Sequence, residues 1–297
     1  MLFQTKNPAE KRKNLRASVD SGTLLRFPGA FSPIVAMMIE TMEFEGVYVS
    51  GAVLAADLGL PDIGLTTLTE VASRGRAIAR VTHLPTLVDM DTGFGETLNV
   101  VRTIQELEEL GLCGAHLEDQ INPKRCGHLD HKILVDTRTM VQKIQAAARA
   151  KSDPNFMIIA RTDSRSVEGL AKSIDRAKAY VDAGADMIFP EALTDAKEFE
   201  YFRKEVNVPL MANMTEFGKT TLLDYKQLQA IGYNIVIYPV TTFRLAMKAA
   251  EDGLMRIHEE GSQAGLLDRM QHRKQLYKTL RYKDYNQFDD EIFNFKI

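Results

Sequence analysis

The feature that most constrains this chain is an alternation repeated about eight times: a short apolar run, then a longer amphipathic one. The short runs are Leu24–Phe31, Gly46–Gly51, Pro85–Asp91, Gly114–Gln120, Met157–Ser164, Met187–Ala192, Pro209–Met214 and Asn234–Pro239. Each is mostly apolar and bounded by Gly, Pro or polar residues, the pattern of a parallel strand buried on both faces. Between them, Asn99–Leu110, Thr137–Ala150, Glu168–Ala183, Ala196–Val206 and Tyr225–Ile231 read as helices. Three of these are expected to stop at glycine, at Gly111, Gly184 and Gly232, just before the next strand.

About eight such units predict an α/β fold, a (β/α)8 TIM-type barrel. An open doubly wound sheet is the alternative, but no Gly-x-Gly-x-x-Gly follows a candidate strand, which weakens dinucleotide binding. Residues 1–297 are read as one barrel domain, since barrels of about 250 residues form single domains. Residues 245–297 form its helical C-terminal extension, longer than one barrel helix and expected to pack on another subunit.

Composition then narrows the partners. A formal net charge of −3 offers no basic face for nucleic acid or a membrane surface. The run Lys11-Arg12-Lys13 is read as a solvated helix face. Met1–Arg16 lacks the apolar core of a secretion signal, and no apolar run approaches the ~20 residues that cross a bilayer. Two cysteines, Cys113 and Cys126, are too few for a disulfide framework. The expectation is a cytoplasmic protein whose cysteines are thiols.

Barrel active sites gather at the C-terminal ends of the strands, and polar residues fall there in this chain. They are Ser50 and Gly51, Asp89 and Asp91, Glu118, Arg161, Glu191, Asn213 and, after the last strand, Arg244. Burying charge without a partner is costly, so this coincidence predicts a site. Asp89 and Asp91 are one residue apart and point the same way in an extended strand. With Glu118 on the next strand they suit magnesium, which takes oxygen ligands and keeps several waters. The plainer alternative is that one of the pair caps the turn at Gly93. After the fourth strand, Lys124-Arg125-Cys126-Gly127-His128 reads as a mobile lid. Its basic residues are expected to lower the Cys126 pKa and favour thiolate. Cys113 is read as packing filler.

At this loop the chain resembles the isocitrate lyase and phosphoenolpyruvate mutase superfamily, most of all its methylisocitrate lyase branch. The likeness rests on Lys124–His128, on Val88-Asp89-Met90-Asp91, on Ala160-Arg161-Thr162-Asp163 and on Asn213–Gly218, and runs from Phe27 to the C-terminus. It implies cleavage of 2-methylisocitrate to pyruvate and succinate, with isocitrate or 2,3-dimethylmalate as the alternative substrates. A non-catalytic dicarboxylate-binding barrel is a remote alternative. The resemblance implies that Ser50, Gly51 and Ala52 hold the pyruvate carboxylate through backbone N–H groups, although the family usually has glycine where Ala52 stands. Asp89 and Asp91 would bind Mg2+, with Mn2+ as a substitute, and Asp62 and Glu118 would support them. Arg161 and Glu191 would lie beside the breaking bond, while Asn213, Thr215, Arg244 and Arg273 would hold the succinate half. Cys126 would be the general acid, with Lys124 and His128 as its catalytic companions. The resemblance also implies a homotetramer that exchanges a helix between subunits.

Overall fold

The computed structural model describes residues 6–293. Strands form within all eight apolar runs: β1 Leu25–Pro28, β2 Val47–Val49, β3 Thr86–Asp89, β4 Gly114–Glu118, β5 Met157–Thr162, β6 Met187–Pro190, β7 Met211–Asn213 and β8 Ile235–Tyr238. Every pairing is parallel. One sheet runs β2 to β6 in chain order, and the other is β1-β8-β7. Parallel bridges Gly29↔Tyr48 and Ile188↔Leu210 join the two at both edges, so the ring closes as a TIM-type barrel.

Two apolar layers follow from that closure. Inside the ring, Leu25, Phe27, Tyr48, Leu87, Cys113, Met157, Ile159, Met187, Phe189, Met211, Ile235 and Ile237 pack on one another. Cys113 is fully buried there, as filler. The other side of the strands packs against the helices through residues such as Val88, Leu117, Ile158 and Ile188. Helices Thr137–Ala150 and Tyr225–Ile231 form where their periodicity places them. Gly111, Gly184 and Gly232 all adopt positive φ and end their helices as expected, Gly232 in the left-handed conformation that a side chain would strain. The segment Glu168–Ala183 differs from expectation: Gly169, at φ 90°, breaks it into Arg165–Glu168 and Leu170–Asp182.

The N-terminal helix Pro8–Asp20 corrects the reading of Lys11-Arg12-Lys13. Lys11 and Arg12 are buried, and only Lys13 is solvated. Lys11 Nζ donates to Ala79 O (2.9 Å) and Thr82 O (2.5 Å). Arg12 donates to Leu112 O at 2.9 Å, to Glu108 O and to Asp153. The carbonyls lie just before β3 and β4, at the barrel end opposite the polar strand ends, and Leu15 and Val19 close the interior layer there. A charge run says nothing about such acceptors, which come from distant segments.

After β8 the chain continues as helices Thr241–Glu260, Arg273–Thr279 and Tyr282–Phe293. Thr241–Glu260 begins four residues ahead of the extension drawn from 245, whose last residues, 294–297, lie outside the described range. No residue of this helix is buried. Among the described residues, no helix is long and apolar enough to cross a membrane.

Candidate active site

The strand ends raise a set of charged side chains at one rim of the barrel. β3 ends on Asp89, and Asp91 follows at φ 47°. The Asp91 N–H donates to Asp89 Oδ1 at 3.0 Å, which holds the two carboxyls together. Neither caps Gly93, whose N–H donates to Met90 O at 2.8 Å. Lys124 pairs with Asp91 Oδ1 at 2.9 Å and also with Asp62. Burial, with Asp89 alongside, pushes Asp91 up to about 6. Burial likewise drives Glu118 well above the ordinary carboxylate range. Neither Glu118 oxygen has a hydrogen-bond partner among the described residues, although Arg161 Nε stands 3.3 Å from Oε2.

Asp91 and Glu118 are thus buried acids with too little positive charge beside them, the condition that a bound dication reverses, whereas His116, Lys124 and Arg161 outweigh burial at Asp89 and hold its carboxyl below the ordinary range. Among the described residues, no three His, Cys, Asp or Glu side chains converge into a cage for a metal. A cation that keeps several waters does not need one. Asp89 and Asp91 could hold such an ion, with Glu118 and Asp62 near it.

His116, in the middle of β4, is a polar residue that the sequence reading passed over. A histidine inside an apolar strand was the available signal. Its Nε2 meets the Tyr48 hydroxyl at 2.6 Å, and its Nδ1 lies 3.7 Å from Asp89 Oδ1. Burial pushes it down to about 4, so the ring is neutral at physiological pH.

Arg161, at the end of β5, occupies the centre. Its Nε and a terminal N–H group grip Asp163 at 2.9 and 3.1 Å, and its other terminal nitrogen lies 3.7 Å from Glu191 Oε2. The guanidinium sits over the Phe189 ring, 5.3 Å from its centroid. Phe189 and Ile237 therefore form the top of the interior layer beneath the site. Glu191 pairs with His128 Nε2 at 2.8 Å and accepts from Asn213 Nδ2 at 3.2 Å. Burial alone would raise its pKa, but Arg161 and His128 outweigh burial and hold it well below the ordinary range.

The loop carrying Lys124–His128 is seated on this cluster. Gln120 brackets Arg125, accepting its N–H at 3.0 Å and donating to its carbonyl at 2.8 Å. Gly127 has no room for a side chain: an added Cβ would stand 2.4 Å from Glu191 Cγ and 2.6 Å from an Arg161 nitrogen. His128 Nδ1 accepts the Lys219 N–H at 3.0 Å, docking the loop on the segment after β7.

One expectation fails here. The Cys126 thiol is raised, not lowered, because burial dominates and Glu191 and Asp62 add negative charge near it. Two of the basic residues expected to favour thiolate are occupied, Lys124 by Asp62 and Asp91 and His128 by Glu191, and Arg125 is exposed. Spacing showed which residues were close in sequence but not which way they turn.

Ser50 caps helix Gly51–Asp57, and Gly51 presses on Asp89, with its N–H 3.3 Å from Oδ2. Ala52 lies in the first turn of that helix and is not among the positive-φ residues, so alanine is unstrained there. Thr215 is buried just beyond β7. Arg244, exposed in the first turn of Thr241–Glu260, lies 3.7 Å from Glu216 and over the Phe217 ring. Arg273 is not brought to the cluster. It starts a C-terminal helix and lines a groove with Tyr277, Lys278 and Tyr282.

The sequence profile of the phosphoenolpyruvate phosphomutase family matches residues 15–258. A Corynebacterium glutamicum protein named probable 2-methylisocitrate lyase 1 is 60% identical over 287 residues, which cover 96% of this chain and 94% of that protein. The crystal structure of 2,3-dimethylmalate lyase, a PEP mutase/isocitrate lyase superfamily member, matches with a TM-score of 0.90 at 29% identity. That match covers 97% of this chain and 96% of the other. Phosphonopyruvate hydrolase in complex with oxalate and Mg++ matches with a TM-score of 0.85 at 29% identity, covering 96% and 99%. The family match spans most of the chain, and the loop, strand ends and barrel described above carry its motifs. The chain belongs to the phosphoenolpyruvate phosphomutase family, in the PEP mutase/isocitrate lyase superfamily.

Proposed function

We propose that this chain cleaves 2-methylisocitrate into pyruvate and succinate. The observation that carries this reading is the 60% identity, across 96% of the chain, to probable 2-methylisocitrate lyase 1. The likeness to 2,3-dimethylmalate lyase stands at 29%. The site supplies what such a cleavage needs: clustered acids, a central guanidinium and a thiol on a loop above them.

Loss of the hydroxyl proton lets the carbon–carbon bond break, releasing pyruvate and leaving the succinate half as its aci-carboxylate. Mg2+, or Mn2+ in its place, held by Asp89 and Asp91 with Asp62 and Glu118 in support, would supply Lewis acidity toward that hydroxyl and its carboxylate. The buried, under-compensated acids support this assignment. Arg161 would neutralise charge at the breaking bond. Glu191, held at a low pKa, is a weak proton acceptor, so we assign it to orienting Arg161 and His128. Asp62 or a water is left to take the hydroxyl proton. Asn213, Thr215 and Arg244 would stabilise the succinate fragment, and backbone N–H groups at Ser50–Ala52 would take the pyruvate carboxylate. Cys126 then protonates the carbanion.

We read the working assembly as a cytoplasmic homotetramer with an exchanged C-terminal helix, which would bring a partner's Arg273 region near the site. Support comes from apolar side chains left uncovered on the extension, among them Leu245, Leu254, Phe288 and Phe293.

Two results follow. In parallel assays of 2-oxo acid release, kcat/KM for 2-methylisocitrate should exceed that for isocitrate, which lacks one methyl group, and that for 2,3-dimethylmalate, which lacks one carboxylate, by about tenfold or more. A win for either rival would overturn the substrate while leaving the cleavage chemistry. Separately, chelation with EDTA should abolish turnover and added Mg2+ should restore it; full activity in chelator would remove the metal from the site.

A further inference from the structure

Lys132 is nearly inaccessible, with 1% of its side chain exposed, and the chemistry above does not use it. Its ammonium donates to the Gly127 carbonyl, inside the loop that covers the site, and to Asp163 Oδ1 at 3.2 Å, at the end of β5. Asp163 is itself fully buried and grips Arg161 through both carboxylate oxygens. The Asp163 backbone is fixed by Asp119, which accepts its N–H at 2.8 Å. A lysine ammonium has three donors and can serve both acceptors at once. It therefore links the loop to the strand-end rim through the residue that orients the central guanidinium.

Stability is a weak reason to keep such a cation. Replacing a buried ion pair with apolar groups of similar volume is often neutral or stabilising. Asp163 would also keep two bonds from Arg161 without Lys132. The Gly127 contact has a different character. Gly127 packs so tightly on Glu191 and Arg161 that a methyl group would collide with both. A small displacement of the loop thus changes the surroundings of Arg161 directly.

We propose that Lys132 is a positioning residue that couples closure of the Cys126 loop to the orientation of Arg161, by holding the Gly127 carbonyl and Asp163 with one ammonium. This inference rests on the lyase reading above. With Lys132 in place, the thiol and the guanidinium reach their working positions together. Without it, substrate still binds, but the loop no longer settles in register with Arg161.

The test is Lys132→Met, which keeps an unbranched apolar stem. Turnover should fall by about 100-fold, the usual cost of a small misplacement, while KM stays within about threefold of wild type. The second readout is alkylation of Cys126 by iodoacetamide, Cys113 being fully buried. Pyruvate plus succinate with Mg2+ should protect Cys126 in the wild-type enzyme and fail to protect it in the variant. Should Lys132→Met not fold, Lys132→Gln, which keeps a donor on a shorter and uncharged side chain, should show the same two changes, with at least about tenfold loss of kcat. A folded variant that turns over and is protected like wild type overturns the coupling and leaves the lyase reading intact. A wild-type enzyme that neither cleaves 2-methylisocitrate nor is protected overturns both.

Discussion

Cys126→Ala should lower turnover of 2-methylisocitrate by about 10²–10⁴-fold, the contribution typical of a positioned general acid, with substrate affinity little changed. The expectation follows from where the thiol sits. The loop places it within the electrostatic reach of Glu191, Asp62 and Arg161, next to the Gly127 that packs on Glu191 and Arg161, and burial holds it protonated through neutral pH. Cys126→Ser should be nearly as slow, because a hydroxyl is a far weaker acid than a thiol. The pH dependence has a definite sign. Since the pKa is raised, the cleavage direction keeps its proton donor at neutral pH and loses it only as pH rises beyond the ordinary thiol range. The reverse condensation needs the thiolate and should gain over the same interval. The checks are single-turnover rates and the alkaline limb of the kcat profile. Wild-type turnover by Cys126→Ala, or a cleavage rate that climbs with thiol ionisation, would remove Cys126 from the acid role.

The second large effect is expected at Arg161. Arg161→Ala should abolish measurable turnover and also lower stability by about 3–5 kcal/mol, the cost of breaking a buried pair by removing one partner. Asp163, Glu118 and Glu191 all lie against this one guanidinium. In the wild-type chain Glu191 has a depressed pKa, so its stabilising contribution is present above the unfolded carboxylate value and is lost as pH falls through the folded one. Without Arg161, burial dominates and the buried carboxylates disfavour the folded state at neutral pH. The deficit should therefore be largest near neutrality and shrink on acidification toward about pH 4, where carboxyls begin to protonate. Thermal melts of both proteins across that range decide the matter. Equal deficits at both ends would show that the loss is one of packing, not of charge.

Much of this molecule was legible in its residues. β1 to β8 lie inside the apolar runs because parallel strands buried on both faces need near-continuous apolar sequence, bounded here by Gly, Pro or polar residues. Asp89, Asp91, Glu118, Arg161 and Glu191 gather because strand ends in a barrel share one rim. What could not be read depended on contacts between segments far apart. The ionisation of Cys126 is set by burial and by Glu191, sixty-five positions away. Lys132 looks like an ordinary polar residue until the loop folds back and its ammonium meets Gly127 and Asp163. Lys11 and Arg12 look solvated until the strands supply carbonyls, and Arg273 belongs to an extension whose apolar residues a single chain leaves uncovered.

The N-terminal helix also bears on the order of assembly. Lys11 and Arg12 find backbone acceptors 68 to 100 positions further along the chain. During synthesis the helix leaves the ribosome long before Ala79, Thr82, Glu108 and Leu112 exist to receive those donors. Contacts so distant in sequence close large loops and form late. This helix is thus among the last segments to dock: Val19 O also accepts from the Asn234 side chain, so the barrel's base stays open to water until the chain has emerged as far as β8.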